Sequence, residues 1–584
     1  MSDQVERAPF RSAASADRTA FAARLMGWSP GALALIALLL VLIVPPLFYL
    51  VKTSLYTSEF DGSFGDFTFE YYQNLLATPG FLAHFRNSVV FALCSGTFAI
   101  VFGAVQAWIV ERTNAPFRRF VFLQAVISLG VPHVLYTIGW LLLLGKQGPL
   151  NQFLMHVTHS AQPLFNVNSM VGMILIEGMI WTPLGFLMLS AVMRSFDASF
   201  EEAAMMSGAG PLKTIGRITL PLAAPAFLAL FLLICIRAFE AFDIPALVGS
   251  AGGVSVLSTD IYDSIRHELP PNFGQAGAFS VVLMALVIGL LQWQGRVLKS
   301  AERFQTITSR GFRPRVMDLG RWRFVAAALL GFLFLVLMVI PIGMLVITSL
   351  LPFYDGLRAE TFARLTFENY HVVAGSPSFR QAIGNTLILG ASTATIVCLL
   401  TAGSAWLAVR RFPGGALINQ LATLPLVFPA IVLGVAFLQL FVNLPIAIYG
   451  TLSAIIIACV VQYLPYGMRF SYAGALQISR ELEEAALMAG AGRFATFRRI
   501  VLPLMAPSVS TAWLFVMLLS VRAVGMPILL AGPNSQVVAV TIFDQWTNGQ
   551  ITVVAAFGLV WTALMMCIGL VFHRMAQRYG VAVR

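Results

Sequence analysis

Residues 201–225 read EEAAMMSGAGPLKTIGRITLPLAAP, and residues 483–507 read EEAALMAGAGRFATFRRIVLPLMAP. Aligned without gaps at an offset of 282, the two stretches agree at 16 of 25 positions. Self-similarity at a fixed offset marks an internal repeat and governs the reading of everything around it. Weaker echoes lie upstream at an offset of 298. Thr68-Phe69-Glu70 with Tyr72 answers Thr366-Phe367-Glu368 with Tyr370, Asn87 answers Asn385, and Ala107-Trp108 answers Ala405-Trp406. The offset falls by 16 between the two sets, so the first copy carries extra residues. They are expected near 146–166, since the matching stretch near 443–447 is very short.

The chain around these repeats has 584 residues, 58% hydrophobic and 11% charged. Soluble domains carry about 45–50% apolar and roughly 25% charged residues. So apolar a chain cannot hide its side chains inside a water-facing shell, which excludes a soluble enzyme, and the same figures exclude disorder. A transmembrane helix needs about 20 mostly apolar residues. Twelve stretches qualify, near 31–51, 87–110, 120–145, 167–192, 221–248, 277–295, 324–350, 384–409, 417–442, 448–468, 503–530 and 552–572. The expected fold is therefore an all-α polytopic membrane protein of two six-helix repeats. An even number of spans per repeat makes the repeats parallel, related by an axis along the membrane normal, with substrate crossing near that axis. The expected organisation is an N-terminal tail at 1–30, repeat 1 at 31–295, a basic linker at 296–323 and repeat 2 at 324–584.

The net charge of +11 suggests nucleic acid until its distribution is examined. With the N-terminus cytoplasmic, 28 of the 37 Lys and Arg fall on that side and 7 on the other, while Arg237 and Arg522 lie within helices. By the positive-inside rule this bias sets the orientation, with both termini and the linker cytoplasmic. The basic charge is a topology signal, and nucleic acid drops out as a partner. Arg7, Arg11, Arg18 and Arg24 precede the first apolar run, which is followed by Pro45, Pro46 and Lys52 in place of a small-residue cleavage site, so an uncleaved first helix is expected. Cys94, Cys235, Cys398, Cys459 and Cys567 all fall inside predicted spans with no CxxC spacing, as small apolar packers do.

Each 25-residue copy starts in the cytoplasmic loop between the fourth and fifth span of its repeat. Glu201 to Met206 and Glu483 to Met488 favour helix, and Gly208 and Gly210, or Gly490 and Gly492, supply what ends a helix and turns it. A basic amphipathic piece follows, and Leu220-Pro221 and Leu502-Pro503 are expected to open the next span. A short helix with Ala203 and Ala204, or Ala485 and Ala486, on one side and carboxylates at its start suits close docking into a groove on another protein. The alternative for a single copy is an ordinary interfacial helix. Two copies on one side weigh against that.

At these residues the sequence resembles a known family. Glu-Ala-Ala, three residues, Gly, then Ile-x-Leu-Pro is similar to the EAA loop of type I ABC importer permeases, with Ala204, Gly208, Ile218 and Pro221, or Ala486, Gly490, Ile500 and Pro503, on the pattern. Two permease domains in one chain resemble the iron(III), thiamine and aminoethylphosphonate importer permeases. The resemblance implies that each loop forms a coupling helix seated in a cleft of a cytoplasmic ATPase. Glu201, Glu202, Glu483 and Glu484 would contact the ATPase, and Gly208 and Gly490 would make the turn. It also implies two ATPase copies and one extracytoplasmic substrate-binding protein in a bacterial inner membrane.

The chain is not expected to be the ATPase. A phosphate-cradling loop needs GxxxxGK(S/T); the nearest imitation, Gly208 to Thr214, has Leu212 at the second glycine, and the second copy has no lysine there. ATP and Mg are thus expected on the partner, with no cofactor and no metal held by this chain. His156 and His159 form an HxxH in the extra loop without a third ligand nearby. The aromatic-rich segment at 60–72 and its echo at 362–370 are expected on the outer side.

Ionisable residues at membrane depth are costly, roughly 2.5–3.5 kcal/mol on insertion scales, which makes each a functional candidate. Arg237, Glu240 and Asp243 are spaced three apart in the fifth span, as on one helix face. Aligning Pro245 with Pro527 sets Glu240 against Arg522, so this face is expected to line a path between the repeats, with a Glu240–Arg522 pair or a shared water-filled cavity. Mutual neutralisation without substrate contact is the competing reading. Glu177 is a lone carboxylate in the fourth span. The expected function is uptake of a small hydrophilic solute, iron(III) first, with thiamine, polyamine or aminoethylphosphonate as alternatives. An ion-coupled secondary transporter would not need two docking loops, and no HExxH or nucleophile constellation supports a membrane enzyme.

Overall fold

The computed structural model describes residues 30–58, 64–77, 79–195, 199–302, 317–357 and 359–578. The expected tail before Pro30 and the part of the linker holding Arg310, Arg313 and Arg315 lie outside the described residues.

Among the described residues ten helices are long and apolar enough to cross a membrane, and one broken pair makes an eleventh candidate. These ten answer to ten of the twelve expected segments. The other two, the third and ninth, are equivalent in the repeat, and both are broken at a proline. The third runs as Arg118–Gly130 and His133–Leu144, with Pro132 capping the second piece. The ninth runs as Gly415–Val427 and Ala430–Asn443, with Pro429 in the same role. Proline lacks the N–H that would continue the ladder, and its ring presses on the carbonyl four residues earlier. Hydropathy counts apolar residues and so reads straight through such a break.

Two more prolines revise the fifth segment. The helix does not start at Leu220-Pro221. It runs back through a wide π turn at Ile215–Thr219 to Pro211, and the second repeat does the same through Phe497–Val501 to Arg493. A wide turn accommodates the hydrogen bond that Pro221 or Pro503 cannot make. At its far end the helix stops at Glu240, because Pro245 bars the carbonyl of Ala241 from a helical bond. That carbonyl accepts from Ser258 Oγ at 2.6 Å instead. Asp243 therefore lies beyond the helix and does not share a continuous face with Arg237 and Glu240.

The extra residues of the first repeat form a helix, Pro149–Thr158. Buried Asn151 holds it by donating to the carbonyls of Leu144, Gly145 and Phe165. His156 and His159 are exposed there. The upstream echoes also acquire physical meaning. Tyr72 donates to Ser54 at 2.8 Å and Tyr370 sits 2.8 Å from Ser349, each tying a short segment to the end of its repeat's first span. Asn87 donates to the carbonyl of Ser255 and Asn385 to those of Asn534 and Gln536. Beside them, Ser88 and Thr386 accept the backbone N–H of Leu257 and Val538. The paired loops after the fifth and eleventh spans are thus anchored alike. Asn385→Ala removes the amide donor facing two backbone carbonyls, and about 1–2 kcal/mol of stability is expected to go with it. Thermal unfolding in detergent measures this.

The compact units do not coincide with the two repeats. One unit contains the described residues up to Pro45 with Gly390–Leu426 and Cys459–Ser520, so the start of the first span belongs with helices of the second repeat. Within it, Leu35 packs beside Gly403. The other unit contains Pro46–Leu389, Val427–Ala458 and Val521–Arg584. In it the first span of the second repeat, Trp322–Ser349, packs on the first repeat. Tyr136 donates to the carbonyl of Leu337 at 3.0 Å, and Leu330 joins a core of Ala107, Val110, Phe186, Leu189 and Met193.

Second and fourth spans meet at glycine in both repeats. A Cβ on Gly103 would fall 2.8 Å from the Phe186 nitrogen, and one on Gly185 would fall 3.1 Å from the Ala99 carbonyl oxygen. Gly467, the counterpart of Gly185, faces Val397 and Thr401 as closely. Small residues let membrane helices approach backbone to backbone, where packing drives their association.

Candidate functional site

The repeated loops are built alike. Ser199–Met206 and Arg480–Met488 form short helices, the second capped by Ser479, whose hydroxyl accepts from the Glu481 N–H. Gly208 and Gly490 follow at φ +83° and +84°, a conformation that strains any residue with a Cβ. The N–H of Ala209 bonds the carbonyl of Ala204, and that of Ala491 the carbonyl of Ala486, both at 3.0 Å. These are the six-to-one bonds of a Schellman ending. Gly210 and Gly492 serve otherwise: their carbonyls accept from Thr214 and Thr496 and open the next helix. Ala203 and Ala485 are exposed, and Ala204 and Ala486 half-buried. At the tip Met206 and Met488 are each 89% exposed, and in the second copy Leu482, Leu487 and Phe494 also face outward. Together these side chains give the tip an exposed apolar surface.

The glutamates divide. Glu484 is exposed, and the side chain of Glu202 lies outside the described residues. Glu201 and Glu483 turn inward. Glu483 accepts from Arg410 Nε at 2.7 Å, lies 2.6 Å from Arg410 Nη2 as an ion pair, and accepts from Trp406 Nε1 at 3.0 Å. Arg410 also donates to the carbonyl of Ile478. Glu201 accepts from Thr219 at 2.8 Å and lies 3.2 Å from Arg112 Nε, an ion pair without hydrogen-bond geometry. Arg112 and Arg410 share the offset of 298 and end the second span of their repeats. Trp406 stands out in the repeat, whereas nothing local in the sequence marks the arginine four residues on as a partner of the loop. Next to Arg112 the end of the linker is clamped: Met317 and Asn114 exchange backbone bonds with residues 112 and 317, and Asn114 bonds Asp318 at 2.6 Å. The Gly320 N–H and the Asn114 amide hold the Asp318 carboxyl below its usual range.

The intramembrane charges form two groups in one unit. Arg237 pairs with Glu240 at 2.7 Å along the helix, leaving Glu240 Oε1 buried with no hydrogen-bond partner among the described residues. Asp243 lies 3.7 Å from His133 Nδ1, and Arg522 stands within electrostatic reach of both. The His133 ring meets Trp181 edge-on at 5.7 Å, and Trp181 Nε1 donates to buried Glu177 at 2.7 Å. Hydropathy in the third segment gives no sign of the break beside His133 that brings it to this cluster. His133, Asp243 and Arg522 all sit at breaks, in the third, fifth and eleventh segments. Irregular backbone at membrane depth is tolerated where it lines a cavity or is covered by protein, and transporter sites are built at such discontinuities. Elsewhere in the same unit, burial pushes the Asp260 carboxyl up against the opposing pull of His84, 2.9 Å away.

Compared with known proteins, residues 99–293 and 400–581 match the family described as binding-protein-dependent transport system inner membrane component. The chain belongs to this family. The two matched stretches hold the two repeated loops, so the duplication is one of whole permease domains. The ferric transport system permease protein FbpB of Actinobacillus pleuropneumoniae is 26% identical over 490 residues, 82% of this chain and 68% of that protein. A putative 2-aminoethylphosphonate permease, PhnU of Salmonella typhimurium, is 26% identical over 43% of this chain and 88% of its own length. The sulfate permease CysW of Escherichia coli is 30% identical over 38% of this chain and 75% of its own. The protein is a fused, two-domain ABC importer permease, a multi-pass transport subunit of a bacterial inner membrane.

Proposed function

We propose that this permease carries iron(III) inward, receiving it from an extracytoplasmic binding protein and driven by two copies of a cytoplasmic ATPase. One observation carries the ATPase part. Two loops 282 residues apart end in the same left-handed glycine and expose the same methionine, Met206 and Met488. Equal sites suit two equal partners. Glu202, Glu484, Ala203, Ala485 and the methionine tips form the docking faces, with ATP and Mg bound by the ATPase. The positive-inside charge bias supports cytoplasmic termini and loops. Iron(III) is supported by the ferric relatives that span most of the chain. Aminoethylphosphonate, an anion-bearing zwitterion, is the second reading, supported by the phosphonate relative and by Arg237 and Arg522 in the buried clusters.

Mild-detergent purification of the tagged chain from its native membrane, with mass spectrometry of its companions, tests this. An ATPase near two per chain is expected, and a chain that purifies without one sinks the importer assembly. His133, Asp243 and Arg522 line the path in this reading. Asp243→Asn is then expected to lower uptake of labelled iron(III) citrate by about tenfold, the size of a 1.4 kcal/mol change in barrier. ATPase recovery should stay unchanged, and wild-type uptake would remove Asp243 from the path.

A further inference from the structure

We propose that Glu201–Arg112 and Glu483–Arg410 are positioning pairs that make each docking loop move as one body with the second span of its repeat. The proposal rests on the docking of an ATPase at these loops. A docking loop has to pass displacement inward, and a short helix held at its glycines alone would swivel. In the second repeat the loop is fixed instead by the Glu483–Arg410 ion pair with its Nε hydrogen bond, by Trp406, and by the Arg410 bond to Ile478 just before the loop. Glu483 and Arg410 are about nine-tenths buried, so water competes weakly for their charges.

The repeat supplies an independent argument. The arginines are related by an offset of 298 and the glutamates by 282, so the pairing persists in both repeats across an insertion that shifted one partner against the other. An incidental surface pair would have no reason to survive that shift. The first-repeat pair is looser. Arg112 Nη2 is buried without a hydrogen-bond partner among the described residues, and Glu201 takes its hydrogen bond from Thr219. The geometry therefore assigns the tighter coupling to the second loop.

The test compares wild type, Glu483→Gln, Glu201→Gln and the swap Glu483→Arg with Arg410→Glu, in the full chain with whatever ATPase copurifies. Three readouts are taken: ATPase recovered per chain, uptake of labelled iron(III) citrate by cells, and backbone hydrogen exchange over 480–501. For Glu483→Gln we expect ATPase recovery within twofold of wild type, uptake down about tenfold, and exchange over 480–492 up about tenfold. Glu201→Gln should lower uptake about threefold, and the swap should return uptake to within threefold of wild type. Unchanged exchange in Glu483→Gln overturns the proposal, as does wild-type uptake in that variant or a swap that rescues nothing. A wild type without ATPase or iron uptake defeats the functional reading, and the exchange result then decides the positioning role unaided.

Discussion

Glu202→Lys combined with Glu484→Lys strips the ATPase from the permease, or leaves it bound and unresponsive, while the chain still inserts and folds. Glu484 is exposed one turn before Met488, and Glu202 is its counterpart at the sequence offset of 282. Reversing both changes the charge of the docking surfaces by four units. Like charges brought together at an interface cost several kcal/mol. About 2 kcal/mol lost per loop already weakens each contact roughly thirtyfold. Exposed helix positions tolerate substitution within about 0.5 kcal/mol, so thermal unfolding should scarcely move. Mass spectrometry of the purified variant checks the ATPase ratio. Wild-type recovery together with wild-type substrate-stimulated hydrolysis would remove these glutamates from the docking face. Glu201 and Glu483 behave differently in the same assay, since their charge is already paired with the arginine at the end of the second span of their repeat.

Gly103→Val is expected to destabilise the chain by about 3 kcal/mol or more, at the upper end of overpacking costs. Its Cβ would come within 2.8 Å of the Phe186 nitrogen and 2.9 Å of the Gly185 carbonyl carbon, so the obstruction is backbone rather than a side chain that could swing aside. Relief would require the second and fourth spans of the first repeat to separate, loosening the core around Phe186 and Leu189. Gly289→Ala is the control. Nothing lies within 4 Å of its Cβ position, and alanine in a helix interior is favoured over glycine by up to about 1 kcal/mol. Unfolding midpoints in detergent compare the two. A Gly103→Val chain as stable as wild type would show that the close crossing is dispensable.

The outcome at particular residues separates what a linear reading reaches from what it misses. The helical turn at Gly208 and Gly490 was legible, because left-handed backbone selects glycine locally and needs no distant partner. The inward turn of Glu201 and Glu483 was not. A glutamate facing water and one facing an arginine 73 positions earlier look alike until the helices are packed. Pro132, Pro245 and Pro429 were visible, yet whether each would kink, cap or break its helix depended on what could take up the freed carbonyl. At Ala241 it was Ser258, beyond the turn. Glu240 was aligned with Arg522 by the repeat, whereas its ion-pair partner is Arg237 on its own helix.

By itself the sequence determined the membrane class, the duplication, the place of the insertion and the two glycine-ended loops. These follow from hydropathy, period and backbone-specific residues, all of which act over a few neighbouring positions. Only the tertiary structure decided that the third and ninth segments are broken. It also gave the first span of the second repeat to the helices of the first, and brought His133, Asp243 and Arg522 into one cluster. Those are choices among partners remote in the chain. They are settled by close packing and by the need of every buried charge and carbonyl for a counterpart.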